Sequence, residues 1–101
     1  MIVIEKNTGV KIPYEVNGTK VTFDDDLTIN LKKREQDDPV HIDVCYDRDG
    51  NLVTGSGNIW QYVAEIDIPA RRYTEPEDEG ESPEPIPLDM DLVTLSLWAI
   101  E

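Results

Sequence analysis

The chain has 101 residues, of which 22 are Asp or Glu and 9 are Lys or Arg, so its formal net charge is −13. That length is typical of one domain, which we take as residues 1–101. The charge argues against direct binding to nucleic acid or to an anionic membrane, because both require a basic surface. A single cysteine excludes an internal disulfide framework and predicts a reducing, cytoplasmic location.

The first quarter of the chain predicts a short strand followed by a β-hairpin. Residues 2–4 are apolar and are followed by a turn at 7–9. Apolar and polar residues then alternate over 10–16, and Asn17-Gly18 supplies the positive φ angles of a tight type I′ turn. The alternation resumes at 20–23. With Asn17-Gly18 as the loop, the register pairs Tyr14 with Val21, Ile12 with Phe23, Glu15 with Lys20 and Lys11 with Asp24.

The middle of the chain continues this alternation in three further predicted strands. They cover residues 27–31, 40–46 and 52–54. A run of three aspartates at 24–26 and the pair Asp49-Gly50 supply turns between them. Gly55-Ser56-Gly57 then breaks the chain before the next apolar segment.

His41, Asp43 and Cys45 alternate along one of these strands and therefore share a face. In a regular strand His41 and Cys45 are about 13 Å apart, beyond the reach of a Cys–His catalytic pair. His41 and Asp43 supply two ligands of a metal site, whereas a zinc site usually takes three or four His or Cys ligands. We therefore predict a surface His41, a packed Cys45, and no catalytic residue, cofactor or metal.

Residues 47–51, with the sequence DRDGN, resemble the start of a calcium-binding loop. An EF-hand loop has its glycine at position six and a glutamate at position twelve. Here Gly50 is fourth, and position twelve is Asn58. The match fails, and a hairpin turn accounts for these residues.

Residues 59–68 have two interpretations. Asn58 and Gln61 have the spacing of a helix capping box, whereas the enrichment in Ile, Trp, Tyr and Val favours a strand. We predict the strand. On this interpretation Trp60, Tyr62 and Trp98 are expected in the core, the alternative being a stacking surface for a sugar or a protein partner.

Residues 71–73 form the only basic cluster next to a long acidic segment. We expect this cluster to face carboxylates of the chain itself, the alternative being a phosphate or a partner's carboxylate. If the region binds a partner, the candidate residues are Arg71, Arg72, Tyr73, Glu75, Glu77, Asp78, Glu79, Glu81 and Glu84.

The negative charge is concentrated in that segment. Residues 75–91 contain eight acidic residues and no basic one, and the other 84 positions carry 14 acidic and 9 basic residues, a net charge of −5. Four of the seven prolines also lie there. Such a composition buries too little apolar surface to offset the entropy of ordering it. We predict a long exposed, acidic, Pro-rich loop at residues 74–88, either a passive tether or a partner-binding segment.

Residues 91–100 are apolar on both faces, which is typical of a strand with neighbours on both sides. The chain therefore contains about seven to eight predicted strands and no favoured helix. This pattern predicts an all-β fold, an antiparallel β-sandwich or a small barrel.

No motif identifies a family or a catalytic constellation. We therefore expect a non-enzymatic protein-interaction or structural accessory module, whose partner is another protein or a second copy. In general character the chain is similar to small accessory proteins of phages and mobile elements. The alternatives are an acidic inhibitor that imitates nucleic acid, and a small carbohydrate-binding or enzymatic domain built on Trp60, Tyr62 and His41.

Overall fold

A computed structural model describes residues 1–55 and 59–101. These residues form eight β-strands, one single-turn α-helix and one 3₁₀-helix, which confirms the all-β prediction. The strands are β1 (Ile2–Glu5), β2 (Tyr14–Asn17), β3 (Lys20–Phe23), β4 (Leu27–Asn30), β5 (Val40–Asp47), β6 (Leu52–Thr54), β7 (Ile59–Ile68) and β8 (Thr94–Leu97). The predicted break at Gly55-Ser56-Gly57 and the capping residue Asn58 fall largely outside the described residues, since 56–58 are not included.

The strands form two sheets. A five-stranded sheet has the order β1-β8-β7-β5-β6, and a three-stranded sheet has the order β2-β3-β4. In the part of the chain that the structure describes, neither sheet is closed into a barrel. Strand β1 runs parallel to β8, so the prediction of a wholly antiparallel fold is wrong at this pair. The two strands lie at opposite ends of the sequence, and almost the whole chain supplies the crossover that a parallel pair requires.

Both sheets contribute to one hydrophobic core, although the edge strands β1 and β2 are exposed at all four of their positions. The three-stranded sheet supplies Val21, Phe23 and Ile29, and the five-stranded sheet supplies Ile42, Val44, Val63, Ala64, Ile66, Ile68, Leu95 and Leu97. The alternate residues of the five-stranded sheet are therefore turned away from this core.

The hairpin of β2 and β3 forms, but its predicted register is wrong at all four pairs. Tyr14 pairs with Phe23 and Val16 with Val21, which leaves Gly18 and Thr19 as the loop. Gly18 has a φ of 61° and Thr19 has no positive φ, as in a type II′ turn with glycine first. The shift of two residues keeps the same side chains on the inner face.

The first half of the predicted hairpin strand, residues 10–13, is not part of β2. Proline at position 13 precedes β2, and Lys11 forms an isolated bridge with Ala99 instead of pairing with Asp24. The Ile100 N–H also donates to the Val10 carbonyl at 2.7 Å. Residues 10–11 therefore pair with residues 99–100, near the end of the chain, and are not part of the hairpin.

Two predicted strands are shorter than expected. β4 ends at Asn30, and the helix α1 (Leu31–Arg34) follows, which places Leu31 in the core from a helical turn. The 3₁₀-helix Met90–Leu92 precedes β8, so only the centre of the predicted strand 91–100 is extended. Among the described residues, no helix is long and apolar enough to cross a membrane.

Residues 74–88 contain no helix or strand, and most of them are exposed. The base of this segment is ordered by pairing, since the Thr74 N–H donates to the Glu84 carbonyl and the Ile86 N–H donates to the Arg72 carbonyl, both at 2.8 Å. Leu88 is half-buried and packs against the core. Within this segment, residues 75–83 are therefore the part that projects from the fold.

Candidate functional site

The outer face of the five-stranded sheet, turned away from the core, carries a cluster of ionisable side chains. Register pairs His41 with Asp67 and Asp43 with Glu65 across β5 and β7. Residues directly opposite each other in an antiparallel pair project on the same face. We call these four residues the His41 cluster. Its members come from two strands that are more than 20 residues apart in the sequence, and strand pairing alone brings them together.

Both ring nitrogens of His41 contact carboxylates. Nδ1 lies 2.6 Å from Asp67 Oδ1, and Nε2 lies 2.7 Å from Asp43 Oδ1. Nε2 also lies 3.5 Å from Glu65 Oε1. A neutral imidazole donates one hydrogen bond, so the ring donates both short bonds only when it is protonated.

These carboxylates raise the pKa of His41 above its usual value of 6.5. The hydrogen bond to Asp67 is the largest cause, desolvation opposes it, and the hydrogen bond to Asp43 adds to it. His41 is nevertheless half-exposed, with a side-chain exposure of 46%. The cluster therefore raises the pKa of an imidazole that solvent and ions can reach.

Three members of the cluster are spaced as metal ligands. One ligand atom each from His41, Asp43 and Glu65 lies within 4.8 Å of the other two. The sequence identified His41 and Asp43 on one face, but it missed Glu65 and Asp67. The alternation in residues 59–68 indicates that Glu65 and Asp67 lie on a polar face. Only the β5–β7 register shows that this face also carries His41 and Asp43.

Two aromatic side chains flank the His41 cluster. Tyr62 and Trp98 line a shallow pocket of about 230 Å³ together with His41, Asp43 and Glu65. The Trp98 Nε1–H donates to Glu65 Oε2 at 2.8 Å. The pocket therefore combines aromatic surface with carboxylates.

The prediction that Trp60 and Tyr62 belong to the core is wrong. Their exposed fractions are 72% and 48%. Val44 pairs with Ala64, whereas Cys45 pairs with Tyr62, so Val63 is an extra residue in β7. Such a bulge reverses the alternation on one side of it, which leaves Tyr62 on the outer face while Ala64 stays inside.

Cys45 is fully buried, as the sequence predicts. Burial is the main cause that raises the pKa of its thiol, and the nearby carboxylates of Asp43 and Glu65 raise it further. Because the thiolate is the reactive form, Cys45 is poorly suited to be a nucleophile.

The DRDGN segment forms a hairpin turn. Asp47 Oδ1 accepts hydrogen bonds from the backbone N–H groups of Asp49 and Asn51, both at 2.9 Å. This carboxylate oxygen therefore orders the turn between β5 and β6.

The basic cluster at 71–73 faces carboxylates of the chain itself. Arg71 lies 3.4 Å from Glu35 and 3.5 Å from Asp37, and the Tyr73 hydroxyl donates to Asp37. Arg72 lies 4.0 Å from Asp89. The other candidate partner-binding residues, Glu75, Glu77, Asp78, Glu79, Glu81 and Glu84, lie in the exposed acidic segment.

The second notable surface is β1, at one edge of the five-stranded sheet. Its residues Ile2, Val3 and Ile4 have exposed fractions of 50%, 44% and 44%. The N–H groups of Ile2 and Lys6 donate to carbonyls of the β8 side, both at 2.8 Å. Since successive backbone groups alternate in direction along a strand, those of Val3 and Glu5 face the open edge.

Comparisons of the chain with family models, with curated proteins and with solved structures find no match. Three surfaces of the described residues bear on function: the His41 cluster with its aromatic neighbours, the open edge of β1, and the pocket beside exposed Trp60.

Proposed function

We propose that this protein is a non-enzymatic structural module that assembles with a second copy of itself through the edge of β1. The observation that supports this proposal is the exposure of Ile2, Val3 and Ile4 on a strand with one open side. Natural edge strands are usually protected by charges, prolines or bulges, and an unprotected apolar edge pairs readily with another strand. Positions 2–4 of β1 carry none of these protections.

The chemistry of the edge favours one register. Copies related by a two-fold axis pair their edges antiparallel, and cyclic dimers are the commonest assemblies. The open-side groups belong to Val3 and Glu5, so a two-fold axis can pass between two Val3 residues, between two Glu5 residues, or between two Ile4 residues in a non-hydrogen-bonded pair. The Ile4 register places Val3 opposite Glu5 and so opposes an apolar side chain to a carboxylate. Opposed glutamates repel, whereas Val3 opposite Val3 also places Ile2 opposite Ile4. The apolar register joins two five-stranded sheets into one.

Charge and size set the strength of this dimer. A strand pair of four residues covers less surface than a standard interface, so the dimer is weak and concentration-dependent. Each copy carries a net charge of −13, and salt screens the resulting repulsion. Association therefore tightens with salt, whereas an acidic inhibitor would bind its basic target less tightly under the same change.

Sedimentation equilibrium tests the proposal. We expect the wild type to approach twice its monomer mass of 11.5 kDa at high protein concentration, and more readily at about 500 mM salt than at about 50 mM. Val3→Lys should leave a monomer. Val3→Pro should do the same, because it removes an open-side N–H without touching a bond to β8.

The matched control is Val16→Lys on β2, an edge strand of the other sheet, where the exposed fraction is 42%. This variant should dimerise like the wild type. A wild type that is monomeric at every concentration and salt level would refute the proposal. A Val3→Lys variant with an intact circular dichroism spectrum that still dimerises would also refute it.

Exposed Trp60 favours carbohydrate binding as a second candidate function. A pocket of about 380 Å³ is lined by Trp60 together with polar side chains that include Asp47, Arg48 and Gln61. An aromatic plane beside hydrogen-bonding groups is suited to stacking and orienting a sugar ring. A glycan array probed with wild type should then show binding that Trp60→Ala abolishes. If no glycan on the array is bound, the carbohydrate-binding function is refuted and the structural role is the proposal that remains.

A further inference from the structure

We propose that His41, Asp43 and Glu65 form a binding site for a divalent transition-metal ion of the zinc type on the outer face of the sheet. This inference is independent of self-association, because the three residues lie on β5 and β7 and β1 is at the edge. One imidazole nitrogen and two carboxylate oxygens are ligands that Zn²⁺ accepts.

The distances fit a shared ion. Two ligand atoms bonded to one tetrahedral Zn²⁺ at its usual bond lengths are about 3.3 Å apart. His41 Nε2 lies 2.7 Å from Asp43 Oδ1 and 3.5 Å from Glu65 Oε1, which brackets that value. Small rotations of exposed side chains therefore bring all three atoms to one ion.

The fourth member of the cluster orients the imidazole. Asp67 Oδ1 lies 2.6 Å from His41 Nδ1. A hydrogen bond from Nδ1–H to this carboxylate fixes the tautomer whose Nε2 lone pair is directed toward Asp43 and Glu65. The arrangement is the carboxylate–histidine–metal triad that recurs in metal sites. Asp67 is thus a positioning residue and not a ligand.

Electrostatics favour a cation at this place. With a neutral imidazole, Asp43, Glu65 and Asp67 contribute three negative charges around one ring. A metal ion on Nε2 takes the position of the proton that His41 otherwise shares with Asp43. The ligands also need little ordering, because both strands belong to the middle of the sheet.

The site has open coordination positions. Three protein ligands leave at least one position for water or another ligand, as catalytic zinc sites do. The three ligand residues line the same pocket as Tyr62 and Trp98, so a further ligand of the ion would bind beside these aromatic side chains. Ca²⁺ prefers six to eight oxygen ligands, so it fits this imidazole-containing set poorly.

Isothermal titration calorimetry of chelator-treated protein with ZnCl₂ tests the site. We expect one Zn²⁺ per chain and much weaker binding of CaCl₂. His41→Gln and Glu65→Gln should each abolish the high-affinity phase. Asp67→Asn should weaken Zn²⁺ binding by about 10- to 100-fold, the usual loss when such an orienting carboxylate is removed.

Trp98 provides a second readout that is local to the site. Its indole donates to Glu65, so ligation of Glu65 should change the Trp98 emission. A Trp60→Phe protein leaves Trp98 as the single tryptophan, since the chain has two. Its emission should change with Zn²⁺ and saturate at the stoichiometry that calorimetry gives.

The control is Glu15→Gln, which removes an exposed carboxylate from β2 and should bind Zn²⁺ like the wild type. Wild-type protein that gives neither binding heat nor an emission change would overturn the site. Zn²⁺ binding of unchanged affinity in His41→Gln would place the metal elsewhere and overturn it equally.

Discussion

The protonation of His41 depends on carboxylates of its own strand and of the neighbouring strand β7. Its pKa is raised above 6.5, chiefly by the hydrogen bond to Asp67. The groups that face it are Asp43 on its own strand, and Glu65 and Asp67 on β7. A raised pKa means that the protonated ring stabilises the fold fully below about pH 6.5 and that this stabilisation is lost as pH rises through the folded-state pKa.

Asp67→Asn should therefore lower the pKa of His41 in the metal-free protein. The chain has one histidine, so its ring proton resonances can be followed by NMR without assignment. We expect a midpoint above 6.5 in the wild type and a lower midpoint in Asp67→Asn, with Glu15→Gln unchanged as the control. Equal midpoints in wild type and Asp67→Asn would show that the Asp67 hydrogen bond does not exist in solution.

Cys45 and Tyr62 show where a sequence pattern predicts the burial of a side chain and where it does not. The sequence predicts that Cys45 is packed because a free cysteine is among the most often buried residue types. The structure has it fully buried, although the alternation places it on the same face as His41 and Asp43. The sequence cannot predict that Tyr62 is exposed, because an extra residue at Val63 reverses the alternation. A bulge depends on how two strands meet, and one strand's sequence does not contain that information.

At the scale of elements, the acidic segment is separable from the fold. Thr74 and Glu84 are joined by a backbone hydrogen bond of 2.8 Å, so the ends of residues 75–83 already lie together. Replacing these nine residues by Asn-Gly removes five acidic residues and changes the net charge from −13 to −8. A shorter loop with less repulsion costs less to close, so we expect equal or slightly higher stability, by no more than about 1 kcal/mol.

Thermal unfolding followed by circular dichroism measures this effect. The control is a deletion of residues 74–88, which also removes Leu88 from its contact with the core. We expect that deletion to unfold at a lower temperature than the Asn-Gly variant. If the Asn-Gly variant unfolds at a clearly lower temperature than the wild type, the projecting segment contributes to the fold and the expectation is wrong. Dimerisation should be unchanged by the replacement, because β1 is untouched.

The elements themselves are largely predictable, while their pairing is not. Alternation located the strands around Val21, Val44 and Ile66, since a half-buried strand needs that period. The hairpin register failed because Gly18 suits either of two turn types with different loop positions. The His41 cluster was missed for a related reason, since Glu65 joins it only through the β5–β7 register.

At the scale of the whole molecule, the charge that dominates the composition is unevenly placed. Residues 75–91 contain eight acidic residues, and β1 contains one, Glu5. The molecule is elongated, with extents of 56, 25 and 21 Å. Asp91, at the end of the acidic run, lies 3.8 Å from the Met1 ammonium beside β1, so a positive charge is close to this carboxylate. Self-association through β1 is therefore compatible with a net charge of −13, provided that salt screens the long-range repulsion.

Cysteine cross-linking at position 3 tests self-association most directly. In a symmetric pair with Val3 opposite Val3, the two Cα atoms lie about 5.5 Å apart, which a disulfide can span. Cys45 is fully buried and does not compete. On mild oxidation, Val3→Cys should become a covalent dimer on a non-reducing gel, while the control Val16→Cys stays monomeric. A Val3→Cys protein that remains monomeric under conditions that oxidise free thiols would contradict assembly through β1.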